Sequence, residues 1–153
     1  TIDETKTQTL VIGDSRRGLK NWPHIIYKMN ADELARLTEG EPKTAASELA
    51  QYSGQPVFVS MAKNGILSAS PNGTITHSPA LPVRGEIDIV GAGDAVTANL
   101  AVALATDAKI PEALELANTA ASVVIHKLGT TGTASLAEIG AAGNLVSPNS
   151  PVE

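Results

Sequence analysis

A short run in the second half of the chain, residues 88–94, reads Asp-Ile-Val-Gly-Ala-Gly-Asp. Gly91 and Gly93 are expected to adopt backbone dihedrals closed to other residues and to let a bulky anion approach the main chain. The small residues that follow predict a helix. A helix that begins near Gly93 adds unpaired N–H groups and the positive end of its dipole to the attraction for a phosphoryl group. The run therefore predicts a phosphate-binding turn.

The acid that closes this run, Asp94, does not suit a pure anion site, because a carboxylate repels bound phosphate. It suits a general base that takes a proton from a hydroxyl group attacking that phosphate. The alternative is a stabilising role as the N-cap or first-turn acid of the helix. Local sequence leaves both interpretations open.

The composition excludes several classes of function. The chain has 153 residues, of which 42% are hydrophobic and 18% charged, enough apolar material for one core. A net charge of −5 and only four aromatic residues argue against nucleic-acid binding. There is no cysteine, so a disulfide framework is excluded, and no long apolar run predicts a membrane span. A cytoplasmic protein is expected.

The elements that would position the turn alternate between strands and helices. Apolar, β-branched runs predict strands over 9–13, 24–29 and 56–61, and an Asn-Gly pair predicts a hairpin of 65–70 with 74–78. Helical spacing predicts helices over 32–38, 44–52 and 93–105, a long one that ends at Gly129, and a short one that begins at a Ser135–Glu138 capping box. A loose tail is expected over 147–153. This order favours a largely parallel sheet covered on both faces, with ligands at the carboxyl ends of the strands.

The Gly91–Asp94 run, preceded by Asp88, resembles the second signature of the PfkB/ribokinase family of sugar kinases, with Ile89 where that family usually has Thr or Ser. Further stretches match family landmarks in the right order, and the resemblance covers nearly the whole chain: 13–16, 28–33, 60–65, 99–101 and 115–130. Within the family, the chain looks most like the heptose-phosphate kinases of ADP-heptose synthesis. The resemblance implies a ribokinase-like three-layer α/β/α sandwich, mostly parallel with a β-hairpin edge.

The resemblance also implies roles for residues of the signature. Asp94 would be the catalytic base, and the amides of Gly91, Ala92 and Gly93 would form the anion hole for the transferring phosphoryl group. Asp14 and Arg16 follow a predicted strand and would meet phosphates or another part of the protein, or form a plain surface salt bridge.

Asn30 and Glu33 fit the family's Asn-x-x-Glu element, whose Glu resembles an organiser of Mg²⁺ through water. One carboxylate reached through water is sufficient for this ion, which prefers oxygen ligands and retains several waters. The same spacing is that of a helix capping box, and local sequence favours the cap. Both roles are compatible.

The nucleotide is expected to contact Ser60, Lys63, Gly65 and Asn118 by the same resemblance. Ala62 stands where the family usually has the first glycine of a strand-turn. Asn118 resembles a residue that lines the adenine pocket, and a polar position on the outer face of its helix is the alternative. The three histidines show no metal-ligand spacing, and no Gly-x-x-x-x-Gly-Lys run is present.

The leading hypothesis is a carbohydrate kinase that uses ATP and Mg²⁺ to phosphorylate a sugar or sugar phosphate. The sequence leaves open whether a monovalent cation binds near the carbonyls of Asp88 and Val90, as in some relatives. The family resembles a chain about twice as long, so residues 1–146 are interpreted as the C-terminal, nucleotide-binding half of a domain. A missing N-terminal half or a second copy would then be a partner, and no nucleic-acid or membrane partner is expected. The alternatives are a non-catalytic nucleotide-binding module and a structural domain derived from a kinase.

Overall fold

A five-stranded mixed sheet forms the centre of the computed structural model, which describes residues 9–17, 19 and 21–144. The strands lie side by side in chain order, β1 to β5. They are β1 (Ile12–Gly13), β2 (Ile26–Asn30), β3 (Val57–Ser60), β4 (Ile66–Ala69) and β5 (Ile75–Ser78). The first three are parallel, and β3–β4 and β4–β5 are antiparallel. The sheet is therefore parallel at the β1 end and a meander at the β5 end.

The described residues form five α-helices: α1 (Ala31–Leu37), α2 (Pro42–Ser53), α3 (Ala92–Ala105), α4 (Ile110–Ile125) and α5 (Leu136–Asn144). Val57 and Val59 belong to a core that includes residues of α1 and α2, whereas Phe58 belongs to a second core with residues of α3 and α4. This alternation follows from the two-residue period of a strand. The expected three-layer α/β/α sandwich is confirmed.

The sequence placed most elements correctly and misjudged some ends. β1 is shorter than the predicted strand over 9–13, and β2 begins at Ile26 rather than His24. The long helix α4 ends at Ile125, with His126 as its C-cap, instead of running to Gly129. Two of the four strand pairings are antiparallel, so the described sheet is mixed, with an antiparallel edge larger than a single hairpin.

The last described helix, α5, begins as predicted. The Ser135 hydroxyl accepts a hydrogen bond from the Glu138 amide, and the Glu138 carboxylate accepts one from the Ser135 amide at 2.8 Å. This reciprocal pairing satisfies two donors that a helix start otherwise leaves unpaired. The predicted tail over 147–153 lies outside the described residues, as do residues 1–8 of the predicted domain.

Candidate functional site

Polar side chains lie at the carboxyl ends of all three parallel strands. Asp14 directly follows β1, Asn30 ends β2, and Ser60 ends β3. Asn30 and Ser60 are register partners, so these two side chains begin from neighbouring points on the sheet edge. Ligands of open α/β sheets bind at this edge.

The turn before α3 has the geometry expected for Gly91 and a different one for Gly93. Gly91 is the N-cap of α3 with φ +84°, a left-handed conformation, and a Cβ there would lie 2.8 Å from Thr131 Cγ2. Gly93 lies within the helix and does not have positive φ, so the prediction of unusual dihedrals at this position is wrong. The constraint on Gly93 is one of space, because a Cβ there would lie 3.3 Å from Lys28 Nζ.

The amide groups of this turn are only partly used. The Ala92 amide donates to the Ile89 carbonyl at 3.2 Å. No acceptor among the described residues takes the amides of Gly91 or Gly93. The helix start therefore presents free N–H groups and the positive end of its dipole, which is the arrangement that binds anions.

Asp94 is the third residue of α3, and its side chain is exposed. No side chain caps this helix, since the N-cap is Gly91, so the predicted alternative of Asp94 as the N-cap is wrong; Asp94 is a first-turn acid. Within the described part of the chain, the Asp94 carboxylate has no hydrogen bond or ion pair. Its oxygens are therefore available to a hydroxyl group that approaches the turn.

The other acid of the signature, Asp88, holds the turn in place. Its carboxylate accepts hydrogen bonds from the amides of Val90, at 3.0 Å, and Gly129, at 3.2 Å. Its own amide donates to the Ile125 carbonyl at 2.8 Å. Asp88 thus ties the loop before α3 to the end of α4.

A partly buried ion pair lies directly beneath the turn. Lys28 Nζ on β2 is 2.9 Å from Asp14 Oδ2, and the Lys28 residue is 4% exposed. The Thr97 hydroxyl on α3 is 2.7 Å from the same carboxylate oxygen and 3.0 Å from the Gly93 carbonyl, so it shares its one hydrogen between two acceptors. Asp14 therefore pairs with a buried lysine rather than in a surface salt bridge, and Arg16 is exposed.

Sequence reasoning overlooked Lys28 and Thr97 as partners of this cluster. The available signal was a lone lysine in the apolar run 24–29, in which alternation places it on the same face as Ile26 and thus toward α3.

Asn30 and Glu33 form the predicted capping box. Asn30 Oδ1 accepts from the Glu33 amide at 2.8 Å, and Glu33 Oε2 accepts from the Asn30 amide at 2.7 Å. Glu33 is buried, and no described group bonds its other oxygen, Oε1. The described residues contain no cluster of three or more His, Cys, Asp or Glu that could hold a metal. One oxygen is therefore left for a hydrated Mg²⁺, as a water-mediated contact requires.

The strand-turn after β3 keeps a left-handed backbone without the usual glycine. Ala62 opens a single 3₁₀ turn over Ala62–Asn64 and has φ +48°. Ser60 donates to the Met29 carbonyl at 3.4 Å, a weak bond, and Lys63 is exposed. Gly65 has φ +87°, and a Cβ there would lie 2.1 Å from the Ser78 carbonyl oxygen, so only glycine fits.

Gly65 and Asn118 converge on the segment that leaves β5. The Asn118 amide nitrogen donates to the Ser78 carbonyl at 2.9 Å, the Ser78 hydroxyl at 2.8 Å and, more weakly, the Pro79 carbonyl at 3.3 Å. Asn118 is buried, so the interpretation of a polar residue on the outer face of α4 is wrong. These contacts connect α4 to the end of β5.

An open groove of about 280 Å³ lies between β5 and α4. Its lining comprises Thr76, His77, Ser78, Pro79, Leu81, Pro111, Glu115 and Thr119. None of the turn residues 91–94 belongs to it. The groove and the turn are therefore separate features of the surface.

Family comparison explains this arrangement. The model of the pfkB family of carbohydrate kinases matches residues 16–136, which include the turn, Lys28, Thr97 and the Asn30–Glu33 element; Asp14 lies two residues before this range. The chain belongs to the pfkB family of carbohydrate kinases.

The curated relatives of this chain support the resemblance to heptose-phosphate kinases. It is 44% identical over 87 residues to bifunctional protein HldE of Paramagnetospirillum magneticum, which is 56% of this chain and 18% of that protein. It is 45% identical over 76 residues to HldE of Bradyrhizobium diazoefficiens, 50% of this chain and 15% of that protein. The chain thus spans less than a fifth of the relatives that it matches.

Solved structures share the fold. Ribokinase from Thermotoga maritima superposes with a TM-score of 0.74 at 21% identity, covering 90% of this chain and 50% of that one. An E. coli protein assigned as ribokinase II, in complex with ATP and Mg²⁺, gives 0.71 at 24% identity, covering 78% and 39%. The ribokinase-like fold is confirmed. Among the described helices, none has the length and apolar character needed to cross a bilayer.

Proposed function

We propose that this chain supplies the nucleotide site, anion hole and catalytic base of a kinase that transfers a phosphoryl group from ATP to a hydroxyl of a sugar or sugar phosphate. The observation that carries the proposal is that an exposed Asp94 carboxylate and the amides of Gly91 and Gly93 lie together at the start of α3, and that no described residue bonds any of them. Phosphoryl transfer requires positioning and charge stabilisation more than covalent participation by the protein.

The proposed roles follow from these positions. The amides of Gly91 and Gly93, with Ala92 if its weak turn bond opens, bind the transferring phosphoryl oxygens. Asp94 accepts the proton of the attacking hydroxyl. Glu33, oriented by Asn30, holds Mg²⁺ through water, and the ion when bound neutralises charge on the phosphate oxygens.

The nucleotide is proposed to lie along the strand-turn after β3 and toward α4. Ser60 and Lys63 offer a hydroxyl and an exposed ammonium, Gly65 lets the turn pack closely on the segment that follows β5, and Asn118 supports that segment. A monovalent cation near the carbonyls of Asp88 and Val90 is part of the same proposal.

The HldE relatives favour a sugar phosphate as the acceptor. Because the chain spans only part of those relatives, the sugar contacts are proposed to come from an N-terminal half or from a second copy. A cytoplasmic location fits an ATP-dependent reaction, and no nucleic-acid or membrane partner is proposed.

The test is sugar-dependent ADP production by the protein that carries this chain, with Asp94→Asn compared with Asp32→Asn. Both residues are exposed first-turn acids, so each variant loses a helix-dipole contribution of about 0.3–1 kcal/mol. Only Asp94→Asn is expected to abolish turnover, with Mg·ATP binding retained. Unchanged turnover in Asp94→Asn would refute the assignment of Asp94 as the catalytic base.

A second candidate is a nucleotide-binding or structural module without catalysis. It is favoured by Ala62, which has a Cβ at a position where the family usually has glycine. This candidate predicts ATP binding with no sugar-dependent ADP production, whichever phosphorylatable sugar is supplied. A structural module predicts neither.

A further inference from the structure

The partly buried cluster beneath the turn joins three elements that are distant in sequence. Lys28 comes from β2, Asp14 from the end of β1, and Thr97 from the second turn of α3. Thr97 and Asp14 are 83 positions apart, yet their oxygens are 2.7 Å apart. The start of α3 is therefore held against the sheet edge by polar contacts as well as by apolar packing.

The cluster also sets the charge under the phosphate turn. Asp14 is about one-quarter exposed, whereas the Lys28 side chain is 5% exposed, so the carboxylate is the member nearer solvent. A carboxylate at this edge would repel a phosphate group arriving at the turn. Lys28 cancels that charge at 2.9 Å, and in a partly buried site such a charge acts with a low effective dielectric constant.

Glycine at position 93 completes the arrangement. The Lys28 ammonium lies 3.3 Å from the place where a Cβ of residue 93 would be, so glycine at this position lets the ammonium lie next to the start of α3. Lys28 and Thr97 both donate to Asp14 Oδ2, so the lysine and the start of α3 are connected through one carboxylate oxygen. This shared contact is suited to keeping the free amides in one orientation.

We infer that Lys28 is a positioning residue for phosphoryl recognition: paired with Asp14 and supported by Thr97, it fixes the first turn of α3 and neutralises the carboxylate beneath the phosphate site. This inference rests on the proposed function, because it concerns the same turn. It predicts that loss of Lys28 weakens binding of a polyphosphate and leaves binding of an uncharged nucleoside unchanged.

The experiment is calorimetric titration of the chain with Mg·ATP and with adenosine, for the unmodified protein and for Lys28→Met, Asp14→Asn and the double variant. Lys28→Met is expected to lose about tenfold in affinity for Mg·ATP, as an uncompensated charge near an anion implies. Adenosine affinity should stay within about twofold, and the double variant should recover Mg·ATP affinity to within about threefold, because removal of both charges leaves no unpaired ion.

Circular dichroism checks that each variant is folded. If Lys28→Met does not fold, the comparison passes to Thr97→Val, which retains both charges but removes the hydroxyl, and for which about threefold weaker Mg·ATP binding with unchanged adenosine binding is expected. Unchanged Mg·ATP affinity in the folded Lys28→Met, or in Thr97→Val where that replaces it, would overturn the inference. A parallel loss for adenosine, without recovery in the double variant, would also overturn it.

Titration of the unmodified chain distinguishes a failure of the positioning role from a failure of the proposed function. If it binds Mg·ATP and Lys28→Met binds equally well, the positioning role fails and the proposed function stands. If the folded, unmodified chain binds no Mg·ATP, the proposed function fails and the positioning role fails with it.

Discussion

Replacement of Ala62 by glycine should stabilise the chain, although it removes a methyl group. Ala62 has φ +48°, in the left-handed region, where an L-residue is disfavoured by about 1–2 kcal/mol. Glycine avoids that cost but gains freedom in the unfolded chain, which offsets about 0.4–1 kcal/mol. Ala62 is exposed, so little apolar burial is lost. The net gain is about 0.5–1 kcal/mol, a rise in Tm of roughly 1–4 °C for a chain of this size.

The assay is thermal unfolding followed by circular dichroism, with Ala98→Gly as the matched control. Ala98 is also exposed but lies inside α3, where φ is negative and where glycine is less favourable than alanine by about 0.5–1 kcal/mol. The same chemical change should therefore raise Tm at position 62 and lower it at position 98.

A fall in Tm for Ala62→Gly comparable with that for Ala98→Gly would refute the reasoning. It would mean that the positive φ of Ala62 in the turn over Ala62–Asn64 costs no free energy of folding. Tighter Mg·ATP binding by the glycine variant would add that the Cβ at position 62 also obstructs the nucleotide.

Two further predictions concern α4 and α5. Asn118→Ala should destabilise the fold by about 1–3 kcal/mol, because it removes the donor to the Ser78 carbonyl and hydroxyl. Asn118→Asp should destabilise the fold more, because it places a carboxylate against those oxygens. Equal midpoints of urea unfolding for the two variants and the unmodified chain would contradict this prediction. The hydrogen bond from Lys127 is the largest of several that lower the pKa of Glu138 to about 2, so this carboxylate stabilises the fold above its usual pKa of 4.5 and the contribution disappears as pH falls toward 2. Glu138→Gln should therefore lower Tm at pH 7 and not at pH 2, and a Tm difference independent of pH would contradict this.

The sequence predicted those parts of the fold that depend on local chemistry. The capping boxes at Asn30 and Ser135, the Asn-Gly hairpin and the start of α3 are each determined by a few neighbouring residues, and all are present. The end of α4 was misjudged because an apolar spacing continues to Leu128, which is 53% exposed, although the helix has already ended.

The parts of the site that escaped prediction depend on contacts between distant segments. No local pattern shows that Gly93 must leave room for Lys28, because the two are 65 positions apart in sequence and meet only when α3 packs on β2. The same holds for Asn118, whose burial depends on the segment after β5 rather than on its own helix. Helical periodicity places a residue on a face but does not show what covers that face.

The chain order of the sheet has a consequence for the sequence of folding events. Strands β3, β4 and β5 are joined by short connections, residues 61–65 and 70–74, so this antiparallel part of the sheet closes small loops and we expect it to form early. The contact between Thr97 and Asp14 must close a loop of 83 residues, and we expect it to form late. We therefore expect the turn before α3 to be fixed at the end of folding, and an incompletely folded chain would have its antiparallel strands before it had the proposed phosphate site.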